Sequence, residues 1–523
     1  MEKKRKPKKT VMVDGNVEKS TVIAGDHNVV DNRKTIINKI GPRQWMIYIT
    51  ATVLVLALIL AGVWNYSLKY DTSYMGGQLN IVVEPFLEEK SGRLWQSKQG
   101  LILAQYFYSQ LNNDVASGQF EKDTKIKADL RGPQAAPPLR GVYWTDPDVA
   151  AQRVASQINA HVVIYGVITR DDFDRPSVSI RFYVSPDQFS DAQEILGENE
   201  LGNPILLTGS LQSGIDLEGE NEELRNRVQV VSLLMKAIGA YVGEDFPMSL
   251  QYLESALSDN LWKQTTGREV VYLLAGNVLS RQALPVLLAE GETRGIETIK
   301  LAEEYYNQAL ISADPKGGYA RAYIGLAGVQ NFHAIYKARL SADYGDIDVA
   351  ALEKEEEFLD KALAATYQPV SADIEEKVAF NRAQVFLLRY QLSNDPSYLK
   401  DAEINYQRVV ESYESGNSAV RELCAHSHSG LALIARIRGK TENALREYKE
   451  AFKITRIPSL QGMYLYHIGN VYYESADYEN AFKYYRSALE MREDLEKRIS
   501  DEQLRIIQER INEIEKKLGN GTT

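Results

Sequence analysis

The pattern of apolar and polar positions divides the chain into stretches of different character. Residues 1–43 alternate charged runs with short β-branched patches, and the run from Gln44 to Leu68 then holds no charged side chain. About 20 helical residues cover the roughly 30 Å hydrocarbon core of a bilayer. Residues 44–66 are therefore predicted to form one transmembrane helix, with Trp45 and Tyr48 at one interface and Trp64 and Tyr66 at the other. Residues 78–210 mix two periods. LNIVVEPF (79–86), TKIKADL (124–130), HVVIYGVI (161–168) and SVSIRFYV (177–184) read as strands. Between them a helical period predicts one helix over 92–113, with Leu94, Leu101, Leu103, Ala104, Phe107 and Leu111 mostly on one face. A second helix runs from Pro147 to Ala160 with Val149, Val154 and Ile158 inward. Alternating strands and helices imply a mixed sheet with helices packed on it. From 222 to 519 the period is helical throughout, in pairs. The expected fold class is thus an α+β multidomain chain: a single transmembrane helix, a small α/β domain and a C-terminal all-α solenoid.

Charge gives the apolar run a direction. Residues 1–43 carry 11 Lys and Arg against 5 Asp and Glu, while the remainder carries 49 against 66. Lys3, Lys4, Arg5, Lys6, Lys8, Lys9, Arg33, Lys34, Lys39 and Arg43 precede the run, and Lys69 alone closely follows it. The basic side is expected in the cytoplasm, as a signal anchor rather than a cleaved leader. An acidic body lacks the cation excess that phosphate neutralisation needs, so nucleic acid is not an expected partner. With one cysteine, Cys424, no intrachain disulfide can form.

Internal repetition refines the helical region. A small residue late in each second helix recurs at Ala256, Ala309, Ala362, Val409, Ala451 and Ala488. The last unit, IGNVYYESADYENAFKYYRSAL (468–489), places Gly469, Tyr472, Ala481, Tyr485 and Ala488 where two close-packed helices need small and aromatic residues. Residues 222–519 on this basis resemble tetratricopeptide repeats. The final helix, with Leu504, Ile507, Ile511, Ile514 and Leu518 in one stripe, is the cap that a stacked array requires. A short coiled-coil seam, and with it self-association, is the alternative for that stripe. The pieces IVVEPF, AQRVASQINAHVVIYGVI and SVSIRFYV resemble the TolB amino-terminal-like domain. The order of anchor, α/β domain and repeats is similar to that of CadC-like bacterial regulators, but the 43-residue stub is too short for their DNA-binding domain. Within the stub, Asp14-Gly15-Asn16-Val17 and Asp26-His27-Asn28-Val29 are similar to glycine–asparagine β-repeat leaders.

Motifs for chemistry are few. Gly439-Lys440-Thr441 lacks the first glycine of a phosphate loop, since Ile434 stands there, and is better read as a repeat turn with Thr441 capping the next helix. Cys424 and His428 share a helical face with His426 nearby, but no closing ligand pair accompanies them. No catalytic residue, metal or cofactor is expected. The expected function is a membrane-anchored scaffold that binds a protein or peptide partner through an extracytoplasmic repeat array. The resemblance places Asn381, Arg436, Tyr466, Asn470 and Tyr473 in the groove. The alternative is a sensor whose α/β domain binds a ligand and signals through the helix to the stub.

Overall fold

The computed structural model describes residues 73–135, 146–171, 173–186, 195–207, 221–264, 266–313, 317–341, 344–367, 373–495 and 501–519. The basic stub and the apolar run expected to cross a membrane lie outside the described residues. Those that are described belong to one compact unit, Tyr70–Thr523.

The sheet is organised around one long strand. Its strands are β1 (Leu79–Val83), β2 (Leu87–Lys90), β3 (Arg93–Gln96), β4 (Ala128–Arg131), β5 (Val162–Arg170), β6 (Pro176–Val184), β7 (Gly197–Glu200) and β8 (Ile205–Leu206). Along one edge of β5, β6 runs antiparallel from Val162 opposite Val184 to Arg170 opposite Pro176. Along the other edge lie β1 and β2, both parallel to it, with Ile81 opposite Val162 and Leu87 opposite Val167. β4 extends the sheet from β1, β3 from β2, and β7 and β8 from β6. β1 is buried throughout, as a strand covered on both faces should be. Leu79, Ile81 and Val83 pack towards α1 (Lys98–Ala116), whereas Val82 joins the core under α3 (Pro147–Ile158). Between these helices lies the short α2 (Gln119–Thr124).

The expected helix over 92–113 is shorter, and its start is a strand. Ser91 and Gly92 both take positive φ, at 53° and 71°, which turns the chain tightly enough for β2 and β3 to form a hairpin. Ser97 then caps α1 by accepting from the Gly100 amide at 3.0 Å. Leu103, Ala104, Phe107 and Leu111 are buried, but Leu101 faces outward. In α3 the buried side is Ala150, Ala151, Val154, Ala155 and Ile158, and Val149, expected inward, is exposed. The expected strand over 124–130 is reduced to β4, because Thr124 closes α2.

Twelve of the remaining described helices form hairpins: α4 (Glu222–Val242) with α5 (Phe246–Ala256), α6 (Glu269–Glu290) with α7 (Glu292–Ala313), and α8 (Ala320–Ser341) with α9 (Val349–Ala364). These are followed by α10 (Ile374–Ser393) with α11 (Pro396–Glu414), α12 (Arg421–Ile437) with α13 (Thr441–Ile454), and α14 (Pro458–Glu474) with α15 (Tyr478–Glu490). A single turn, α16 (Arg492–Leu495), leads to the last helix, α17 (Asp501–Gly519). Ala256, Ala309, Ala362, Val409, Ala451 and Ala488 all have no exposed surface, as small residues packed between helices should. α6 alone among the described helices is long and apolar enough to cross a membrane, yet most of its apolar stretch is buried inside the protein, as in a core helix.

Sheet and array share one core, which runs from Leu79 through α1 and α4 to Phe332 in α8. Buried arginines tie them together. Arg321 of α8 donates to the Asn199 side chain and the Leu196 carbonyl, both at 2.5 Å. Arg227 of α4 donates to the Leu201 carbonyl at 2.5 Å and lies 4.4 Å over the Trp262 ring. Lys236 joins Asp114 and Asp123 of the α/β part at 3.0 and 3.2 Å.

Candidate binding groove

In a helical hairpin array the first helices line one face and the second helices the other. Here a recurrent pairing fixes the first helices. A glycine on a first helix receives a tyrosine ring from a second helix: Gly276 and Gly325 face Tyr306, Gly430 faces Tyr406, and Gly469 faces Tyr485. Two of these tyrosines also donate to the asparagine that follows the glycine, Tyr306 to Asn277 and Tyr485 to Asn470, each at 2.8 Å.

The face so formed is hollow. One cleft, of about 370 Å³, is lined by Asn277 and Arg281 of α6, Arg321 and Phe332 of α8, Lys377 and Phe380 of α10, and turns of α12 and α14. A second, of about 770 Å³, follows the next turns of α8, α10, α12 and α14, including Gln384, Leu388, Gly430, Arg436 and Met463, with Tyr406 and Tyr448 of second helices at its floor. Phe380 and His426 line both clefts, so the two adjoin as parts of one groove across α6, α8, α10, α12 and α14. Successive lining residues lie three or four apart, which is one helical stripe per helix.

The charge of this lining is distinctive. Arg281, Arg321, Lys377, Arg339 and Arg436 line the groove, against one carboxylate, Glu422. That carboxylate already accepts from the Thr455 hydroxyl at 2.5 Å and the Arg456 amide at 3.1 Å. Nearby Glu355 accepts from Asn331 at 3.0 Å, and burial pushes its pKa up to about 8, so it adds little negative charge at neutral pH. His467 stacks on Tyr448 with ring centres 5.3 Å apart. Its pKa is lowered to about 4, chiefly by burial and further by Arg436.

Of the residues expected in the groove, Asn381 lines the first cleft and Arg436 the second. The Asn381 amide donates back to the Lys377 carbonyl at 2.7 Å, and Arg436 pairs with Glu474, its Nε at 3.2 Å. Tyr466, Asn470 and Tyr473 meet the end of the array instead. Tyr466 is buried beside Tyr485, and the Asn470 oxygen accepts from both Tyr485 and Arg510 of α17. Tyr473 donates to Glu513 at 2.6 Å, with Arg510 4.8 Å over its ring. The capping helix therefore engages the positions that a further first helix would reach. Ile507, Ile511 and Ile514 are buried in the same cluster as Tyr485. Arg321 carries no local motif, whereas Asn277 follows Gly276 as Asn470 follows Gly469, a repeated step in the sequence that marks it.

The Cys424 and histidine cluster resolves into separate contacts. Cys424 is buried, and burial, followed by Glu414 and Glu422, pushes its thiol up to about 12. His428 meets Glu447 at 2.7 Å, while His426 lies against Phe380 and Tyr464. At the 439–441 turn, Gly439 takes φ +69° and Lys440 is the cap residue, without a side-chain bond. Thr441 is the first helical residue rather than the cap.

Over residues 423–494 the chain is similar to the family described as tetratricopeptide repeat. That stretch covers nearly all of the two hairpins α12–α13 and α14–α15. No curated protein matches the chain.

Proposed function

We propose that this protein is a scaffold that binds a segment of a partner protein in the first-helix groove, and that its apolar run at 44–66 holds this groove at a membrane. The observation that carries the binding reading is the groove itself. Two adjoining clefts cross five first helices, and aromatic and long polar side chains from separate repeats converge there. At roughly 9 Å between neighbouring helices the groove extends on the order of 40 Å. An extended chain of about 12 residues spans that distance. The repeat similarity over 423–494 supports the same reading, since such arrays generally mediate protein–protein contact.

Membrane attachment rests on the uncharged run and on the basic excess before it, which also favours a cytoplasmic N-terminus and an extracytoplasmic body. The TolB-like resemblance of the sheet region fits the same order of parts. In this reading the protein displays a binding surface and catalyses nothing.

A photoreactive residue placed at Gln384 in the groove, in protein expressed in its native membranes, is expected to crosslink a partner. The same residue at Ile404, which is 56% exposed on a second helix, is expected to capture none. Equal capture from both positions would refute the groove assignment. Separately, protease added to intact cells or spheroplasts is expected to degrade the body and spare the stub.

A further inference from the structure

Resting on the groove reading above, we propose that Glu355, on the second helix α9, is a positioning residue for the second cleft, and that ionisation of its carboxyl releases the bound segment. The array's own pattern singles this residue out. Ala302, Ala402, Ala444 and Ala481 each stand four residues before the buried tyrosine of their second helix, and none has exposed surface. The same place in α5 is Ser249, four before Leu253, also fully buried. In α9 it is Glu355, four before Leu359. A carboxyl thus fills a slot that the other described hairpins keep small. Close packing gains nothing from a charged side chain there, and a local departure of this kind points to a role other than stability.

Glu355 has no exposed surface, and Ala351, Leu352 and Leu359 flank it on the buried side of α9. Its Oε2 accepts from Asn331 of α8 at 3.0 Å, while Oε1 has no hydrogen-bond partner among the described residues. Asn331 lines the second cleft with Ala338 and Ile347, so the carboxyl holds one wall of that cleft from behind. Charges on the packed elements are committed elsewhere. Glu356, the next residue, favours the protonated form and is itself paired with Arg389 of α10, as Asp360 is with Arg382. From α8, Arg339 lines the cleft and His333 lies against Phe332 and Tyr336. Ahead of α9, Asp346 is exposed and Asp348 caps the helix. No cation pairs with Glu355 among the described residues. The neutral acid therefore suits this site, in keeping with its titration at about 8. Ionisation leaves a buried charge with one hydrogen bond, and the water that would hydrate it has the cleft as a way in, past Asn331. A segment seated in the cleft keeps that water out and so favours the protonated carboxyl. By reciprocity, the proton favours the segment. Binding is thus at full strength below the pKa of about 8 and weakens above it, by up to about tenfold per pH unit.

The test uses the full-length protein with the photoreactive residue at Gln384, solubilised from its native membranes and diluted until roughly half of it crosslinks its partner at neutral pH. In the parent, apparent affinity is expected to hold up to about pH 8 and to fall about five- to tenfold by about pH 9, with recovery on return to neutral pH. Glu355→Gln keeps an oxygen for Asn331 and cannot ionise. It is expected to match the parent at neutral pH and to show no such fall. Glu355→Ala gives α9 the side chain of the other slots. It is expected to lose the pH dependence too, but to bind about three- to tenfold more weakly at neutral pH, because Asn331 is released. An equal fall in the parent and in Glu355→Gln would place the titrating group elsewhere and overturn the linkage. Parental affinity in Glu355→Ala at neutral pH would overturn the positioning role. A loss in the parent that does not recover would mark unfolding and overturn the linkage as well. Each of these results leaves the groove reading standing, whereas absence of crosslinking at Gln384 in every protein at every pH would remove the groove reading and the linkage together.

Discussion

Replacing Gly430 with alanine tests the packing that shapes the groove. A Cβ at this position would stand 2.9 Å from Cδ2 of Tyr406 and nearer still to the far side of the ring, where real Cβ atoms are essentially never found. Tyr406 is 3% exposed, so a shift of its ring disturbs the packing around it even where it borders the second cleft. Overpacking of this kind costs about 1–3 kcal/mol. Against it stands the intrinsic preference of a helix interior for alanine over glycine, about 0.5–1 kcal/mol. The net expectation is about 1–2 kcal/mol of local destabilisation in α11 and α12, or roughly a 5- to 30-fold increase in amide exchange through local opening. Removing the ring should reverse the sign. Tyr406→Ala alone costs about 3–5 kcal/mol, but in its background Gly430→Ala should stabilise by about 0.5–1 kcal/mol, because only the helix preference remains. Native-state hydrogen exchange read by mass spectrometry over Pro396–Ile437 measures all four corners of this cycle. If Gly430→Ala destabilises equally with and without the ring, the glycine–tyrosine contact is not what sets this repeat, and the reasoning fails.

Three further outcomes follow from buried groups. Burial lowers the His161 pKa to about 4, and the ring nitrogen accepts from the Asn80 amide at 2.9 Å. Because the unfolded chain binds a proton there first, the contribution of this group is complete above about pH 6.5 and is lost as pH falls towards 4, by up to about 3 kcal/mol; His161→Gln should flatten the acid side of a melting-temperature profile. Glu355 titrates in the opposite sense, its folded pKa being raised to about 8, so stability drains as pH rises from the ordinary carboxyl value, and Glu355→Gln should gain on the parent from pH 5 to 9 in the same assay. Arg321→Met leaves Asn199 and the Leu196 carbonyl without their donor and should cost about 2–3 kcal/mol, seen as earlier proteolytic cleavage between sheet and array.

The repeat architecture was readable because its signal is local. Alanines at a recurring helix position, and the glycine and tyrosine of the last hairpin, report contacts between neighbours in sequence. The α/β part was legible in its long strands, where β5 and β6 are apolar or alternating over nine residues each. Short strands escaped notice: β7, GENE, has no apolar period, and β3, RLWQ, continued the spacing of the helix after it until the Ser91-Gly92 turn is considered. Val149 read as inward because valine is apolar, but three alanines on the adjacent stripe let α3 lie closer to the sheet. The groove was legible only in part. Asn381 and Arg436 lie in its clefts, whereas Asn470 is claimed by Arg510, 40 positions further on. Asn277 and Arg321 line the same cleft from α6 and α8, and Arg321 is oriented by Asn199, 122 positions earlier. The convergence of such side chains is a property of the assembled array, even where one of them, Asn277, sits in a recurring Gly-Asn step.

The most direct test of the binding account is hydrogen exchange of the full-length protein purified with its native partner, compared with the protein alone. The account predicts added protection in α8, α10, α12 and α14, whose side chains line the clefts, and little change in α9, α11 and α13. Protection confined to those second helices, or to the sheet, would contradict it.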